Sequence, residues 1–346
     1  MDVGLGLITC QRPAEDRRPM TELYREAVEL AVLAETVGFR SVWTSEHHFV
    51  DDGYLPSQLP VLAAIAARTS RIGLGTGVVL APLVDPLHLA EDAAVVDLLS
   101  GGRLILGLGL GWREEEFDGF GIPRRERASR LEGTITVLRQ AWSSGLLRGD
   151  GRHFVYPDLA VTPKPARPGG PPIWLGGHRE AAVRRAARLA EGYVAWEAGP
   201  EELRQRVRWI EDEAAAVGRD PATIAIGVSR IVFAWPQGDP WEQIRPFVHY
   251  ISWKYGEMAG ARSRSQPAPT PPLDPASEAR LRSTAIVGHP DEVAEALAAY
   301  EPILGPRGLF VLRSLFPGLD PGLQREALHV LAAEVLPLLP RPARVG

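Results

Sequence analysis

The stretch RIGLGTGVVLAPLVDPLHLAEDAAVVDLLSGGRLILGLGLGW, residues 71–112, contains the pattern that decides the fold. It predicts a strand over Ile72–Leu80, a helix from about Pro86 to Leu99, and a second strand over Leu104–Leu108. Short apolar runs separated by an amphipathic helix are typical of β–α–β units in a parallel sheet. The stretch therefore predicts an α/β protein.

The same alternation extends over most of the 346 residues. Thr21 is predicted to cap the first helix, and Gly38 to end it. Six further strands are predicted, at Val3–Ile8, Ser41–Thr44, Ile173–Leu175, Tyr193–Trp196, Ile224–Val228 and Gly308–Arg313. Eight strands with helices between them are typical of a (β/α)8 TIM barrel. An open doubly wound sheet alternates in the same way, so periodicity alone does not separate the two.

The positions of the glycines favour the barrel. A dinucleotide-binding G-x-G-x-x-G turn would follow the first strand and open a helix. Gly4 and Gly6 lie inside the first strand instead, and Gly107, Gly109 and Gly111 alternate at the end of a later strand. Glycine at a strand end allows a ligand ring to approach the backbone closely.

The chain is predicted to be a single domain, residues 1–346, with loop insertions near 145–172 and 255–283. The first insertion is rich in glycine and proline and contains a strand-like piece, His153–Tyr156. The second contains the proline-rich stretch Ala261–Asp274, which excludes regular helix or sheet. Such a segment is either an ordered lid on the active face or a disordered surface insertion.

Composition narrows the class of protein. Apolar residues make up 45% of the chain and the formal net charge is −5, so nucleic-acid binding is not expected. A single cysteine, Cys10, allows no internal disulfide and suits a reducing compartment. No apolar run approaches the roughly 20 residues that cross a bilayer, and the N-terminus lacks a signal peptide pattern. A soluble cytoplasmic protein is expected.

An unusual cluster, Glu46-His47-His48-Phe49, follows the second strand. Imidazole titrates near neutral pH, so a histidine here can act as an acid, a base or a hydrogen-bond donor. A metal is the rival interpretation, but neighbouring side chains in an extended segment point in opposite directions. No other histidine or acidic set has the spacing of metal ligands, so no metal site is predicted. One of the two histidines could have a purely structural role.

Two glycine-containing segments are candidate cofactor sites. Gly75-Thr76-Gly77-Val78 places small residues where a flat ligand could lie on the backbone. Trp174-Leu175-Gly176-Gly177-His178-Arg179 leads into a helix, whose N-terminal amides and dipole favour a phosphate. A plain tight turn explains this second segment equally well.

Nine tryptophans are present, and most are expected in the core. Trp196, Trp253 and Tyr255 flank predicted loops and are candidates for the wall of an apolar substrate pocket. A G-x-S-x-G nucleophile elbow and a Walker phosphate loop are both absent from the sequence, which disfavours a serine hydrolase and a nucleotide hydrolase.

Together these segments resemble the bacterial luciferase-like superfamily over most of the chain and in the same order. The resemblance is carried by Gly38-Phe39, Val42-Trp43, Glu46-His47-His48-Phe49, Gly75-Thr76, Pro86, Glu91-Asp92, Ser100, Gly102-Arg103, Gly107-Leu108-Gly109, Glu116-Phe117, Phe120-Gly121, Pro172–Gly177 and Gly288–Glu292. It implies a TIM barrel with insertions, usually a homodimer, that binds a flavin-type cofactor at the C-terminal ends of the strands.

The resemblance also implies roles for particular residues. In luciferase alpha chains the first histidine of the motif is catalytic, which makes His47 the expected catalytic residue, with Glu46 and His48 beside it. A cis peptide is expected between Gly77 and Val78, and Trp196 matches a pocket tryptophan. The expected cofactor-binding residues are Thr76, Gly77, Val78, Gly109, Gly176, Gly177, His178 and Arg179.

The resemblance implies a monooxygenase that uses reduced FMN from a separate flavin reductase, and molecular oxygen, to oxygenate a small organic substrate. Luciferase has Cys-Arg where this chain has Gly109-Leu110, and the stretch from Gly109 to Phe117 looks more like the branch that uses the deazaflavin coenzyme (F-420). The histidine pair looks more like the FMN branch. Hydride transfer with the deazaflavin is therefore the alternative, and a non-catalytic flavin-binding protein is a second one.

Overall fold

The computed structural model describes residues 1–260 and 264–339. Twelve strands occur in these residues: β1 (Asp2–Ile8), β2 (Ser41–Thr44), β3 (Gly73–Thr76), β4 (Val79–Leu80), β5 (Leu104–Gly109), β6 (Leu147–Gly149), β7 (Val155–Leu159), β8 (Ile173–Gly176), β9 (Gly192–Trp196), β10 (Ala225–Ala234), β11 (Ile286–Gly288) and β12 (Leu309–Arg313).

Twelve α-helices occur in the same residues: α1 (Met20–Val37), α2 (Gln58–Ala66), α3 (Pro86–Ser100), α4 (Glu114–Gly119), α5 (Arg127–Trp142), α6 (Glu180–Leu189), α7 (Pro200–Ala216), α8 (Pro240–Gly260), α9 (Pro275–Thr284), α10 (Pro290–Ala298), α11 (Glu301–Leu304) and α12 (Pro321–Val330). None of these described helices is long and apolar enough to cross a membrane.

Eight of the strands close into a parallel barrel in the order β1-β2-β3-β5-β8-β9-β10-β12. The barrel closes where β12 pairs with β1, which places Arg313 opposite Gly6. The predicted TIM barrel is thus confirmed, and the C-terminal ends of its strands form one open end, the barrel mouth. The short strands β4 and β11 extend the sheet at this end, and β6 and β7 form a separate antiparallel hairpin within residues 145–172.

Two tryptophans fill the barrel interior. The rings of Trp43 on β2 and Trp174 on β8 lie 5.7 Å apart between their centroids. Glycines on neighbouring strands make room for them, because a Cβ atom at Gly75 would lie 2.3 Å from Trp43, and one at Gly192 would lie 2.3 Å from Trp174. These large interior side chains therefore require glycine on the neighbouring strands.

Some predicted boundaries differ from the structure. Helix α1 begins at Met20 after Pro19, so Thr21 lies inside it and the predicted Thr21 cap is wrong. Gly38 ends this helix, as predicted, with a left-handed φ of 105°. The sequence analysis assigned no helix to α8, α9 or α10, although buried residues of α8 such as Ile244, Val248 and Ile251 recur at helical spacing. Residues 264–274 of the proline-rich stretch form neither helix nor strand, and residues 261–263 lie outside the described residues.

Candidate active site

The loop after β2 is fixed at the barrel mouth by the buried carboxylate of Glu46. One oxygen, Oε1, accepts a hydrogen bond from the Leu80 amide at 3.1 Å, and the other accepts one from Gln58 Nε2 at 3.2 Å. The same Oε1 lies 3.3 Å from Nε2 of His48. Both oxygens of Glu46 are thus engaged, so the residue orients the loop and His48 rather than facing a ligand with a free oxygen.

His47 forms a buried pair with Glu116 of α4. Its Nδ1 lies 2.8 Å from Glu116 Oε1, and the same oxygen accepts the His48 backbone N–H at 3.0 Å. Glu116 is completely buried, and His47 is 5% exposed. A carboxylate acceptor at Nδ1 keeps the proton on that nitrogen in the neutral ring. Nε2 is therefore the ring nitrogen left for a ligand.

Three aromatic rings pack around His47. The His47 ring makes edge-on contacts with Tyr54, Trp112 and Tyr255, at centroid distances of 4.9, 5.7 and 5.6 Å. Nε2 makes no hydrogen bond within residues 1–260 and 264–339 and is not fully enclosed by protein. The predicted catalytic histidine therefore presents one nitrogen into an aromatic-walled space.

Glu116 carries part of the family resemblance, but the sequence assigned it no role in the site. It is the third of three consecutive glutamates, and only this one is buried, because the short helix α4 turns it inward. Its Oε2 is buried and has no hydrogen-bond partner within the described chain. A run of like charges normally indicates a solvated helix face, so composition contained no signal that one member contacts a histidine.

Helix α8 is anchored to the loop after β2. Tyr250 donates a hydrogen bond to Asp52 Oδ2 at 2.5 Å, and the buried ammonium of Lys254 forms an ion pair with Asp51. Burial raises the pKa of the Asp52 carboxyl group. Burial alone would lower the pKa of Lys254, but its ion pairs with Asp51 and Glu257 outweigh that effect and raise it.

A pair of tyrosines completes this connection at the barrel mouth. The hydroxyl groups of Tyr54 and Tyr255 are 2.9 Å apart, and that of Tyr54 also donates to Ser45 Oγ at 3.0 Å. Burial raises the pKa of Tyr54 well above its usual value. Tyr54 therefore stays protonated near neutral pH, and α8 contributes Tyr255 to the wall around His47.

The predicted cofactor residues on β3 and β5 lie at the floor of the mouth. Thr76 is fully buried, and its Oγ1 donates to the Gly107 carbonyl at 2.8 Å. This side chain therefore links two strands. The peptide bond between Gly77 and Val78 is cis, as the resemblance implies. A Cβ atom at Gly109 would lie 2.3 Å from Val78 Cγ2. Val78 thus occupies the space beside Gly109.

The segment after β8 has free amides at the start of α6. The backbone N–H groups of Gly177, His178 and Arg179 donate to no partner within the described residues. The Gly177 carbonyl accepts the Tyr193 hydroxyl at 2.6 Å, and Arg206 donates to that hydroxyl at 3.3 Å. Three amides and a helix N-terminus form a cradle that fits a phosphate group.

The two tryptophans predicted for the pocket lie in different places. A Cβ atom at either Gly77 or Gly176 would lie 2.8 Å from the Trp196 ring, which places that ring between the two loops at the floor of the mouth. Trp253 packs instead against a separate apolar cluster on α8, where its ring lies 6.0 Å from that of Tyr250. Within the described residues, Trp253 makes no ring contact with His47.

Metal ligation has no support in the part of the chain that the structure describes, where no three histidine, cysteine or acidic side chains are grouped suitably. The acidic and histidine side chains at the mouth instead hydrogen-bond with one another and with backbone amides. The arrangement offers a basic imidazole nitrogen, an aromatic wall and an anion cradle.

Comparison with known proteins places these features in a family. The sequence profile described as luciferase-like monooxygenase matches residues 1–305. The oxygenase component of flavin-dependent trigonelline monooxygenase from Acinetobacter baylyi is 32% identical over 162 residues, which cover 46% of this chain and 45% of that protein. The F420-dependent glucose-6-phosphate dehydrogenase of Microbacterium testaceum is 35% identical over 176 residues, covering 49% and 52%. The chain spans about half the length of these curated relatives.

A solved structure aligns with nearly the whole chain. The crystal structure of monooxygenase RslO1 from Streptomyces bottropensis superimposes with a TM-score of 0.83 and 26% identity, covering 97% of this chain and 99% of that one. The shared architecture includes the barrel and the elements that form its mouth.

Proposed function

This chain belongs to the luciferase-like monooxygenase family, and from that premise we propose that it oxygenates a small organic substrate with reduced FMN and molecular oxygen. The observation that carries the proposal is the buried Glu116–His47 pair, which leaves Nε2 of His47 facing the aromatic-walled mouth. The likeness to a monooxygenase over 97% of the chain favours oxygenation.

The residues present fit a flavin phosphate. The free amides of Gly177, His178 and Arg179 point from the start of α6, where the helix dipole favours an anion. Arg179 adds positive charge, and Tyr193 holds the loop through the Gly177 carbonyl. These groups would hold the phosphate of FMN, while the backbone of Gly77 and Val78 would support the ring.

Reduced FMN, when bound, supplies the electrons with which one oxygen atom enters the substrate and the other leaves as water. His47 acts as the proton carrier of the site. With its Nδ1 proton directed at Glu116, its Nε2 accepts a proton from a reacting group and returns one in the same turnover. Glu116 stabilises the imidazolium form, since a carboxylate at 2.8 Å attracts a positive ring.

The aromatic wall limits the access of water to His47, with Trp112 itself 36% exposed. Tyr54, Trp112 and Tyr255 contact the His47 ring directly, and Tyr54 is almost completely buried. A dry site strengthens the Glu116–His47 interaction and limits side reactions with water. Helix α8 maintains this wall through the Tyr250–Asp52 hydrogen bond.

The proposed enzyme works in the cytoplasm as a homodimer with a separate flavin reductase. A separate reductase is in keeping with the absence of a dinucleotide-binding fingerprint in the sequence. The single cysteine suits a reducing compartment. Dimerisation rests on the family, and gel filtration with light scattering tests it directly.

The second candidate is hydride transfer with the deazaflavin coenzyme. It is favoured by the 35% identity to an F420-dependent glucose-6-phosphate dehydrogenase. The same cradle at Gly177 would hold the phosphate of that coenzyme, and His47 would protonate or deprotonate the substrate instead. A protein that binds flavin without turnover is the remaining alternative.

Oxygen incorporation tests the proposal. The purified protein receives reduced FMN from a flavin reductase, ¹⁸O₂, and a panel of aldehydes, ketones and aromatic acids, and mass spectrometry follows the products. We expect one product that gains a single ¹⁸O atom, and we expect His47→Asn to abolish it while binding of FMN is retained. Oxidation of an alcohol with the deazaflavin coenzyme, without ¹⁸O in any product, would assign the enzyme to hydride transfer.

A further inference from the structure

Arg313 is a buried cation inside the barrel mouth. It is the last residue of β12. Because side chains alternate along a strand, Arg313 lies on the same face as Leu309 and Val311, both of which are in the barrel interior. Only 9% of its surface is exposed. Charged side chains are seldom buried to this extent unless a partner of opposite charge binds them.

Within the described residues Arg313 has one carboxylate partner only, and that contact is weak. Its Nη1 lies 3.4 Å from Oε1 of Glu197, whose side chain is 47% exposed. The other guanidinium nitrogens of Arg313 make no hydrogen bond within residues 1–260 and 264–339, and they are not fully enclosed by protein. A guanidinium has five N–H donors arranged to hold a carboxylate with two parallel bonds. Most of that capacity is unused.

The guanidinium and His47 both contact the ring of Tyr255. The guanidinium lies over the Tyr255 ring at 5.2 Å from the centroid, and that ring lies 5.6 Å from the ring of His47. Around the barrel, β12 is two strands from β2, which leads to His47, and three strands from β8, which leads to the phosphate cradle. An anion on Arg313 would therefore lie at the barrel mouth, across the Tyr255 ring from His47 or beside that ring.

We propose that Arg313 binds the carboxylate of an aromatic acid substrate, and that Glu197 occupies the guanidinium until the substrate displaces it. The class of substrate follows from the surroundings. A single forked cation matches one carboxylate, and the stacked rings of Trp112 and Tyr255, 6.5 Å apart between centroids, offer an aromatic surface on which a flat arene can pack. The inference rests on the proposed function only for the reaction that follows binding.

Matched pairs of ligands test the inference. Benzoate with benzamide, nicotinate with nicotinamide, and 2-naphthoate with 2-naphthamide differ only in charge, and calorimetry measures their Kd on the protein with and without FMN. We expect the wild type to bind at least one carboxylate about tenfold more tightly than its amide, as a charge-assisted bidentate pair requires. Arg313→Gln should remove that preference and leave the Kd of the amide unchanged within about twofold.

Two further variants sharpen the result. Arg313→Lys keeps the charge but loses the fork, so we expect part of the preference to remain. Glu197→Gln removes the competing carboxylate and should tighten binding of the carboxylate about threefold or more, without an effect on the amide. Arg204→Gln, on the exposed surface of α7, is the matched control and should leave every Kd unchanged.

Equal binding of carboxylate and amide by the wild type across all pairs would overturn the inference. So would a preference that survives in Arg313→Gln with native circular dichroism. A loss of FMN affinity in Arg313→Gln, with the carboxylate preference intact, would assign Arg313 to the cofactor instead. Failure of the proposed function gives a different result, because reduced FMN would then fail to bind the wild type while the carboxylate preference persists.

Discussion

Replacing Glu116 by glutamine isolates the role of its charge. The amide oxygen can still accept hydrogen bonds from His47 Nδ1 and from the His48 amide, which are 2.8 and 3.0 Å from the carboxylate oxygen. What disappears is the negative charge beside the imidazole. A charge-assisted hydrogen bond contributes roughly 1.5–3 kcal/mol, and a neutral one about 0.5–1.5 kcal/mol. The difference, about 1–1.5 kcal/mol, corresponds to a fall of roughly fivefold to tenfold in kcat.

The same substitution has a separate effect on stability. Oε2 of Glu116 is buried without a partner, so the amide nitrogen that replaces it carries two buried N–H groups without acceptors. We expect the free energy of unfolding to fall by about 1–3 kcal/mol. Urea unfolding followed by circular dichroism measures this change.

The assay combines kinetics with a spectroscopic readout. The fall in kcat is measured on the substrate identified by ¹⁸O incorporation, and the ¹⁵N chemical shifts of the His47 ring report which nitrogen has the proton. The wild type should show the Nδ1–H form, and Glu116→Gln a mixture of the two neutral forms. Glu114→Gln is the control, since Glu114 is exposed on the same helix. An unchanged kcat together with unchanged ring shifts in Glu116→Gln would refute the role of Glu116 in positioning His47.

Three other predictions concern the cradle, α8 and the thiol. Gly177→Ala should weaken FMN binding about tenfold, because the added methyl group would lie 2.6 Å from the Ala182 Cβ and displace the loop amides; an unchanged Kd in calorimetry would remove the loop from the phosphate site. Lys254→Met should lower the free energy of unfolding by about 3–5 kcal/mol, because a buried carboxylate loses its cation. Since the folded-state pKa of Lys254 is raised, its contribution should be complete below pH 10.5 and decline as the pH rises through the raised pKa; a wild-type to variant difference that stays constant from pH 8 through 12 would contradict this account. Burial raises the pKa of Cys10 to about 12, so iodoacetamide at pH 8 should alkylate the native protein far more slowly than the urea-unfolded one, and equal rates would contradict the burial of that thiol.

The barrel was predictable because its strands leave strong local patterns. Apolar runs such as Leu104–Gly109, each followed by a helix, indicate a parallel sheet without knowledge of any contact. The end of α1 at Gly38 was also predictable from local sequence, because the left-handed backbone conformation that ends a helix strongly favours glycine. Helix α8 was missed although its buried residues recur at helical spacing, because Pro246 inside it normally indicates the end or absence of a helix.

The site was predictable only in part. Two adjacent histidines after a strand are rare, so His47 and His48 were apparent from the sequence. The roles of Glu116 and Arg313 were not, because a glutamate in an acidic run and an arginine at a strand end have unremarkable local sequences. Their roles depend on burial, which brings residues 69 positions apart into contact in the case of Glu116 and His47. Such pairs arise from closure of the barrel rather than from spacing along the chain.

Titration of the purified protein with reduced FMN, oxidised FMN and the deazaflavin coenzyme tests the central claim most directly. The experiment is anaerobic and follows Kd by calorimetry, with Gly177→Ala as the variant that weakens the phosphate cradle. The account predicts tightest binding of reduced FMN and a loss of about tenfold in the variant. Tight binding of the deazaflavin coenzyme alone, with no detectable affinity for reduced FMN, would contradict the assignment as a monooxygenase.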